Sequence, residues 1–101
     1  MDIKETSEGG IIILKVSGEI DGSNVLDFEH TLKHAADRTD RLVLDLEDLE
    51  YVSSAGLRAF LVIQKEMKKE QHTMTIMHVN DEVMGIFTVT GFVKLLNIEE
   101  D

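Results

Sequence analysis

Leu42-Val43-Leu44-Asp45-Leu46-Glu47-Asp48-Leu49-Glu50-Tyr51-Val52-Ser53-Ser54-Ala55-Gly56-Leu57 is the stretch that decides how this chain folds. It opens on a short, nearly continuous apolar run, the pattern of a central strand covered on both faces. It ends where a helix begins: from Leu57 to Met67 apolar residues point to nearly every side, and Lys68, Lys69 and Glu70 follow. Such a helix is buried at its start and solvated at its end, with cations at the negative end of its dipole. The segment from Asp45 to Gly56 reads as a loop that carries two serines to the helix's first turn.

Upstream, Ile3 to Thr6 and Ile11 to Val16 read as two strands, and Ser7-Glu8-Gly9-Gly10 between them supplies the glycines of a tight antiparallel turn. Gly18, Asp21 and Gly22 break the second strand. Ser23 or Asn24 then caps a helix with Val25, Phe28, Leu32 and Ala35 or Ala36 at helical spacing. Downstream, Thr73 to Val79 is rich in β-branched residues and methionine. Asn80-Asp81-Glu82 caps a third helix, with Val83, Ile86, Phe87 and Thr90 on one side and Gly91 as its stop. Val93 to Ile98 reads as a last, edge-like extended segment before the acidic tail Glu99-Glu100-Asp101. The predicted order is β-β-α-β-α-β-α-β, a single α/β domain over residues 1–101 with helices packed on a mixed sheet that is parallel in its later part.

With 101 residues the chain has room for one domain. Its 43% hydrophobic and 30% charged residues, without proline, are those of a globular chain. There is no cysteine, so disulfides, thiolate catalysis and sulfur-ligated zinc are excluded. A net charge of −10 argues against nucleic acid, whose phosphates are bound by Lys and Arg. No run approaches the roughly 18–20 apolar residues that span a bilayer. The expectation is a cytoplasmic protein whose partners are proteins with basic rims, with no nucleic acid and no membrane.

Chemistry concentrates at the strand-to-helix connection, where ligands gather in open α/β sheets. One reading of Ser53 and Ser54 is purely structural, since serine is a preferred N-cap worth about 1 kcal/mol over alanine. The other is modification. A helix start offers free N–H groups and partial positive charge to a phosphate, and the small Ala55 and Gly56 let a macromolecular partner approach the hydroxyl. Phosphorylation adds about −1.5 to −2 charge. If burying that anion on docking costs about 4 kcal/mol, affinity falls roughly a thousandfold. Asp45, in an otherwise apolar strand, is expected to brace the loop by accepting hydrogen bonds from loop N–H groups or a serine hydroxyl; the alternative is that it simply ends the strand in solvent. A buried carboxylate without partners is costly.

The run Val43-Leu44-Asp45-Leu46 through Leu49, Tyr51-Val52 and Ser53-Ser54-Ala55-Gly56-Leu57 resembles the bacterial anti-sigma factor antagonists of the STAS domain family. Val16-Ser17-Gly18-Glu19-Ile20-Asp21 is similar to that family's second strand and following turn, and Phe87-Thr88-Val89-Thr90-Gly91-Phe92 to its last helix and glycine stop. The resemblance covers nearly the whole chain. It implies a non-enzymatic regulator that binds an anti-sigma factor of serine-kinase type and so frees a sigma factor. The kinase phosphorylates a loop serine and binding is lost; a serine phosphatase restores it. The family's acceptor position is matched by Ser54, two residues before the glycine matched by Gly56. Better-studied members commonly carry aspartate where Ser53 stands, and some carry serine or threonine at Ala55. Ser53 is therefore the alternative acceptor. The implied docking face runs from Glu50 to Gly56, with Tyr51, Ser53, Ser54, Ala55 and Gly56, and continues to Arg58. The same family includes STAS subunits of lipid-transport complexes and stress-signalling scaffolds that act purely by binding, which is the alternative function.

Other chemistries find less support. A serine hydrolase elbow needs a small residue two before the nucleophile, where Val52 stands, and no histidine follows the first aspartate after Ser54, Asp81. His30 and His34 lie four apart on a predicted helix, but without a zinc-protease pattern. Asp45, Glu47, Asp48 and Glu50 lack the glycine turn of a calcium loop. Met67, Met74, Met77 and Met84 fall in core-like positions. No cofactor, catalytic residue or metal is expected.

Overall fold

The structure, a computed structural model, describes residues 1–99. Its strands are β1 (Asp2–Glu8), β2 (Ile11–Ile20), β3 (Arg41–Asp45), β4 (Leu49–Val52) and β5 (Thr73–Met77); its helices are α1 (Val25–Ala36), α2 (Ser54–Lys69) and α3 (Asp81–Thr90). The strand order is β1-β2-β3-β5, with β4 also paired to β2. β1 runs antiparallel to β2, through a hairpin whose Gly9 and Gly10 have φ of +57° and +84°; every other pairing is parallel. The sheet is thus mixed, and the single α/β domain expected from the sequence is observed.

Burial alternates along β2 and β3. Ile12, Leu14, Val16, Leu42 and Leu44 are buried, whereas Ile11, Ile13, Lys15 and Val43 are half-exposed. Successive strand side chains point to opposite faces, so one face is covered and the other partly open, not covered on both faces as the apolar run suggested. The helices lie on the covered face. Phe28 of α1 meets Phe60 of α2 edge-to-face with ring centroids 5.2 Å apart, and Phe60 meets Phe87 of α3 in the same way at 6.2 Å. This chain of aromatic contacts, each worth about 0.5–1.5 kcal/mol beyond burial, joins all three helices above the sheet.

Three expectations need correction. The strand after the hairpin does not break at Gly18: with φ of +85°, Gly18 lets β2 continue to Ile20, and its N–H donates to the Asp48 carbonyl at 3.1 Å. The Asp45–Gly56 connection is not all loop, because Leu49–Val52 forms β4. Gly18 pairs with Leu49 and Glu19 with Tyr51, so Glu50 is an extra residue bulged out of register. The Val93–Ile98 segment is not a strand. Gly91, left-handed at φ +81°, ends α3 and turns the chain into a 3-10 turn over Phe92–Lys94; only Ile98 then bridges to Ile76. That segment is held by polar contacts: Asn97 N–H donates to Gln64 Oε1 at 2.7 Å, and Asn97 Nδ2 donates to the Met74 carbonyl at 3.2 Å. Of the expected acidic tail, Glu100 and Asp101 lie outside the described residues.

Candidate functional site

β2 builds the site from below. Its first part pairs with β3 and its last three residues with β4, so the chain leaving β4 is held beside the molecule's central strand. Ser53 continues that attachment, its N–H donating to the Ile20 carbonyl at 2.9 Å. It is also the N-cap of α2: the Oγ accepts from Gly56 N–H at 3.2 Å, and the carbonyl accepts from Leu57 N–H at 2.9 Å. The Ser53 hydroxyl is therefore committed to the cap and half-buried. Ser54, the first helical residue, is exposed.

From Ser54 the helix carries Arg58 and Val62 at i+4 and i+8, which share a face, and both are exposed. Tyr51, at the end of β4, is 44% exposed beside this start, although rings of its size normally find cover. Ala55 is half-exposed. Gly56 is different. It is buried, and an added Cβ would stand 2.6 Å from Val52 Cγ2 and 2.9 Å from Ile20 Cγ2. Its lack of a side chain serves the close approach of α2 to β2 and β4, not the approach of a partner, and Gly56 faces away from the surface formed by Tyr51, Ser54 and Arg58. Val62 was not singled out from the sequence; the i+4 spacing from Arg58 was the available signal.

The turn between β3 and β4 is held by two residues. Asp45, 8% exposed, accepts from Glu47 N–H through Oδ1 at 3.0 Å, and its Oδ2 lies 3.2 Å from His78 Nδ1. It braces the turn that begins its own loop, while Ser53 is fixed by Ile20 and by its cap bond. The second residue is Asn80. Its Oδ1 caps α3 by accepting from Val83 N–H at 2.9 Å, while Nδ2 faces the carbonyls of Leu49 at 2.6 Å, Glu47 at 3.1 Å and Leu46 at 3.3 Å, donating to them. The sequence shows Asn80 only as a cap; its reach to the turn appears when the fold brings the end of β5 beside the end of β3. Asn24, by contrast, stands at the N-cap of α1 without capping it: its side chain accepts from Asp21 N–H and donates to the Glu19 carbonyl, closing the turn after β2.

Charge around the site is acidic. Lys15, directly opposite Asp45 across β2 and β3, forms an ion pair with Asp48 at 3.4 Å, and that hydrogen bond raises its pKa above the usual lysine value. Glu47 and Glu50 are exposed. The first turn of α2 carries no acidic residue; its Gly56 and Leu57 N–H groups are taken by the Ser53 side chain and carbonyl, and those of Ser54 and Ala55 precede the first intrahelical bond. His30 and His34 lie on α1 and line a groove against Ala59, Val62 and Ile63 of α2, away from the serines in sequence and separate from the β3–β4 turn. Among the described residues no helix is long and apolar enough to cross a membrane.

A half-open mixed sheet backed by three helices, with an exposed serine at a strand-to-helix junction, is the arrangement this chain presents. The chain belongs to the STAS domain family, whose model matches residues 2–101. It is 30% identical over 90 residues to the protein BtrV of Bordetella bronchiseptica, covering 88% of this chain and 78% of that one. To the anti-sigma-B factor antagonist of Staphylococcus aureus it is 28% identical over 101 residues, 99% of this chain and 94% of that one. In fold it is similar to an anti-sigma factor antagonist from Mycobacterium paratuberculosis, with a TM-score of 0.86 at 23% identity over 99% of this chain and 86% of that one. It is likewise similar to the Bacillus cell-fate determinant SpoIIAA in its phosphorylated form, with a TM-score of 0.73 at 13% identity over 99% and 93%.

Proposed function

We propose that this protein is an anti-sigma factor antagonist of the cytoplasm that acts by reversible binding and is switched off by phosphorylation of Ser54. In this reading an anti-sigma factor of serine-kinase type docks on the face formed by Tyr51, Ser54, Ala55, Arg58 and Val62 and gives up its sigma factor. The same kinase transfers the γ-phosphoryl group of ATP to Ser54 Oγ, leaving ADP, and a serine phosphatase hydrolyses the ester to return inorganic phosphate. The observation that carries the assignment is the division of labour between the two serines. The Ser53 oxygen is used by Gly56 N–H and half-buried, whereas Ser54 is exposed on the first turn of α2. A phosphoryl group on Ser54 would sit among free helix N–H groups with Arg58 one turn away, and would be tolerated by the free protein. In the complex the same dianion must be dehydrated, and binding is lost.

The experiment is phosphopeptide mass spectrometry of the full chain after incubation with its kinase-type anti-sigma factor and ATP, together with titration of that partner against Ser54→Ala and Ser54→Asp. Modification confined to Ser54, retained binding by Ser54→Ala and weakened binding by Ser54→Asp are expected. Modification of Ser53 would move the acceptor by one residue. Equal affinity of the phosphorylated and unmodified proteins would remove the switch.

A further inference from the structure

Asp45, Glu47 and His78 are brought together at the carboxyl ends of β3 and β5. His78 Nδ1 lies 3.2 Å from Asp45 Oδ2 and 4.0 Å from Glu47 Oε2, and one candidate ligand atom from each residue lies within 4.8 Å of the other two. We propose that these three side chains form a binding site for a divalent transition-metal cation of the Zn²⁺ type, with water completing the coordination. This site is independent of the phosphorylation reading.

The two separations from His78 Nδ1, 3.2 Å and 4.0 Å, are those of ligands sharing an ion. Two donor atoms each about 2.1 Å from one metal stand roughly 3.0–4.1 Å apart over the usual range of coordination angles. The donor set, one imidazole nitrogen and two carboxylate oxygens, suits zinc and its first-row neighbours better than Mg²⁺ or Ca²⁺, which favour oxygen alone. Part of the site is already arranged. The Glu47 N–H occupies Oδ1 of Asp45 and leaves Oδ2 directed at His78, while the Glu47 carboxylate, with its side chain 62% exposed, has room to swing inward. The nearby charge is mixed: Asp45 and Glu47 supply two carboxylates, and the cation already near them, Lys15, has its ammonium drawn to Asp48 at 3.4 Å although it also feels both carboxylates. Acids close together in sequence do not suggest this site by themselves. Its nitrogen ligand comes from the residue that follows β5, through the parallel register that sets Asp45 against Met77.

The ordinary alternative is an ion pair between Asp45 and His78. In that alternative Glu47 is a second, longer ion-pair partner of His78 at 4.0 Å, and neither contact needs an ion, so Zn²⁺ affinity and its dependence on Glu47 and His78 separate the two. Isothermal titration of the metal-free full chain with ZnSO₄ is expected to show one tight equivalent. Glu47→Gln, at an exposed position, and His78→Asn should each weaken it about tenfold or more; asparagine is chosen because residue 78 has φ +58°, which asparagine tolerates better than most residues. His30→Gln/His34→Gln should leave the tight equivalent in place, and MgCl₂ and CaCl₂ should bind at least tenfold more weakly. Unchanged affinity in either Glu47→Gln or His78→Asn, loss of the site in the His30/His34 double variant, equal binding of Mg²⁺, or no Zn²⁺ binding tighter than about 1 mM would each overturn the proposal.

Discussion

The Cγ2 of Val52 lies 2.6 Å from where a Cβ on Gly56 would be, so the strand that ends before Ser53 and the helix that begins at Ser54 are in contact at a point that admits no side chain. Gly56→Ala must push α2 away from β4 and from Ile20. Overpacking of this kind costs about 1–3 kcal/mol, and alanine's better helix propensity offsets at most about 1 kcal/mol. A net loss of about 1–2 kcal/mol in urea unfolding is expected; an unchanged midpoint would mean that the junction yields freely.

The two serines should separate in a stability measurement. Ser53→Ala removes the N-cap acceptor of Gly56 N–H and is expected to lower stability by about 1 kcal/mol. Ser54→Ala, at an exposed first-turn position, should stay within about 0.5 kcal/mol of the parent protein. Equal losses in urea unfolding would show that Ser53 does not carry the cap.

Asn80 joins α3 to the β3–β4 turn, and its two functions come apart by substitution. Asn80→Asp keeps an acceptor for Val83 N–H but presents a carboxylate to the carbonyls of Leu46, Glu47 and Leu49. Asn80→Ala loses both, with an expected cost of about 2–3 kcal/mol from the cap and the unsatisfied carbonyls. Hydrogen exchange should then accelerate at Leu46 to Tyr51 in both variants, and at the start of α3 in Asn80→Ala. Protection of the turn that survives both changes would exclude the clamp.

Arg38 holds Glu5 by a hydrogen bond that keeps its carboxyl below the ordinary value of 4.5, opposed by slight desolvation and helped by the Arg38 and His34 charges. The sign follows from linkage: a lowered carboxylate pKa stabilises the fold above the unfolded value and ceases to do so as pH falls through the folded one. The pair is solvent-exposed, so the effect is small. Comparing unfolding midpoints of the parent and Glu5→Gln from pH 7 to pH 3 should show a parent advantage that persists down to about pH 4.5 and then fades. An advantage that grows on acidification would contradict this assignment.

Much of the architecture was readable because its apolar residues recur with one period. Phe28 and Leu32, Ile63 and Met67, and Val83 and Phe87 mark helix faces that the structure buries, and Gly9, Gly10 and Gly91 stand where the backbone needs positive φ. β4 escaped because the bulge at Glu50 destroys alternation: Leu49 and Val52 are buried, and the two residues between them are exposed. The Val93–Ile98 segment misled for the opposite reason, since its apolar residues look strand-like while Gly91 redirects the chain into a turn. At the site, the serines could be chosen from their place between a strand and a helix start, and Tyr51 and Arg58 as part of the docking face the family resemblance implies. The meeting of Asp45 with His78, and of Asn80 with the Leu49 carbonyl, depends on parallel strand register, which a single sequence does not display.

The bond from Ser53 N–H to the Ile20 carbonyl ties the residue next to the proposed acceptor to the longest strand of the molecule. A seat so firmly bolted leaves little slack for rearrangement when an ester forms on its neighbour. Signalling there would proceed by repainting an unmoving surface, and an incoming protein would sense the new electrical character rather than a new shape.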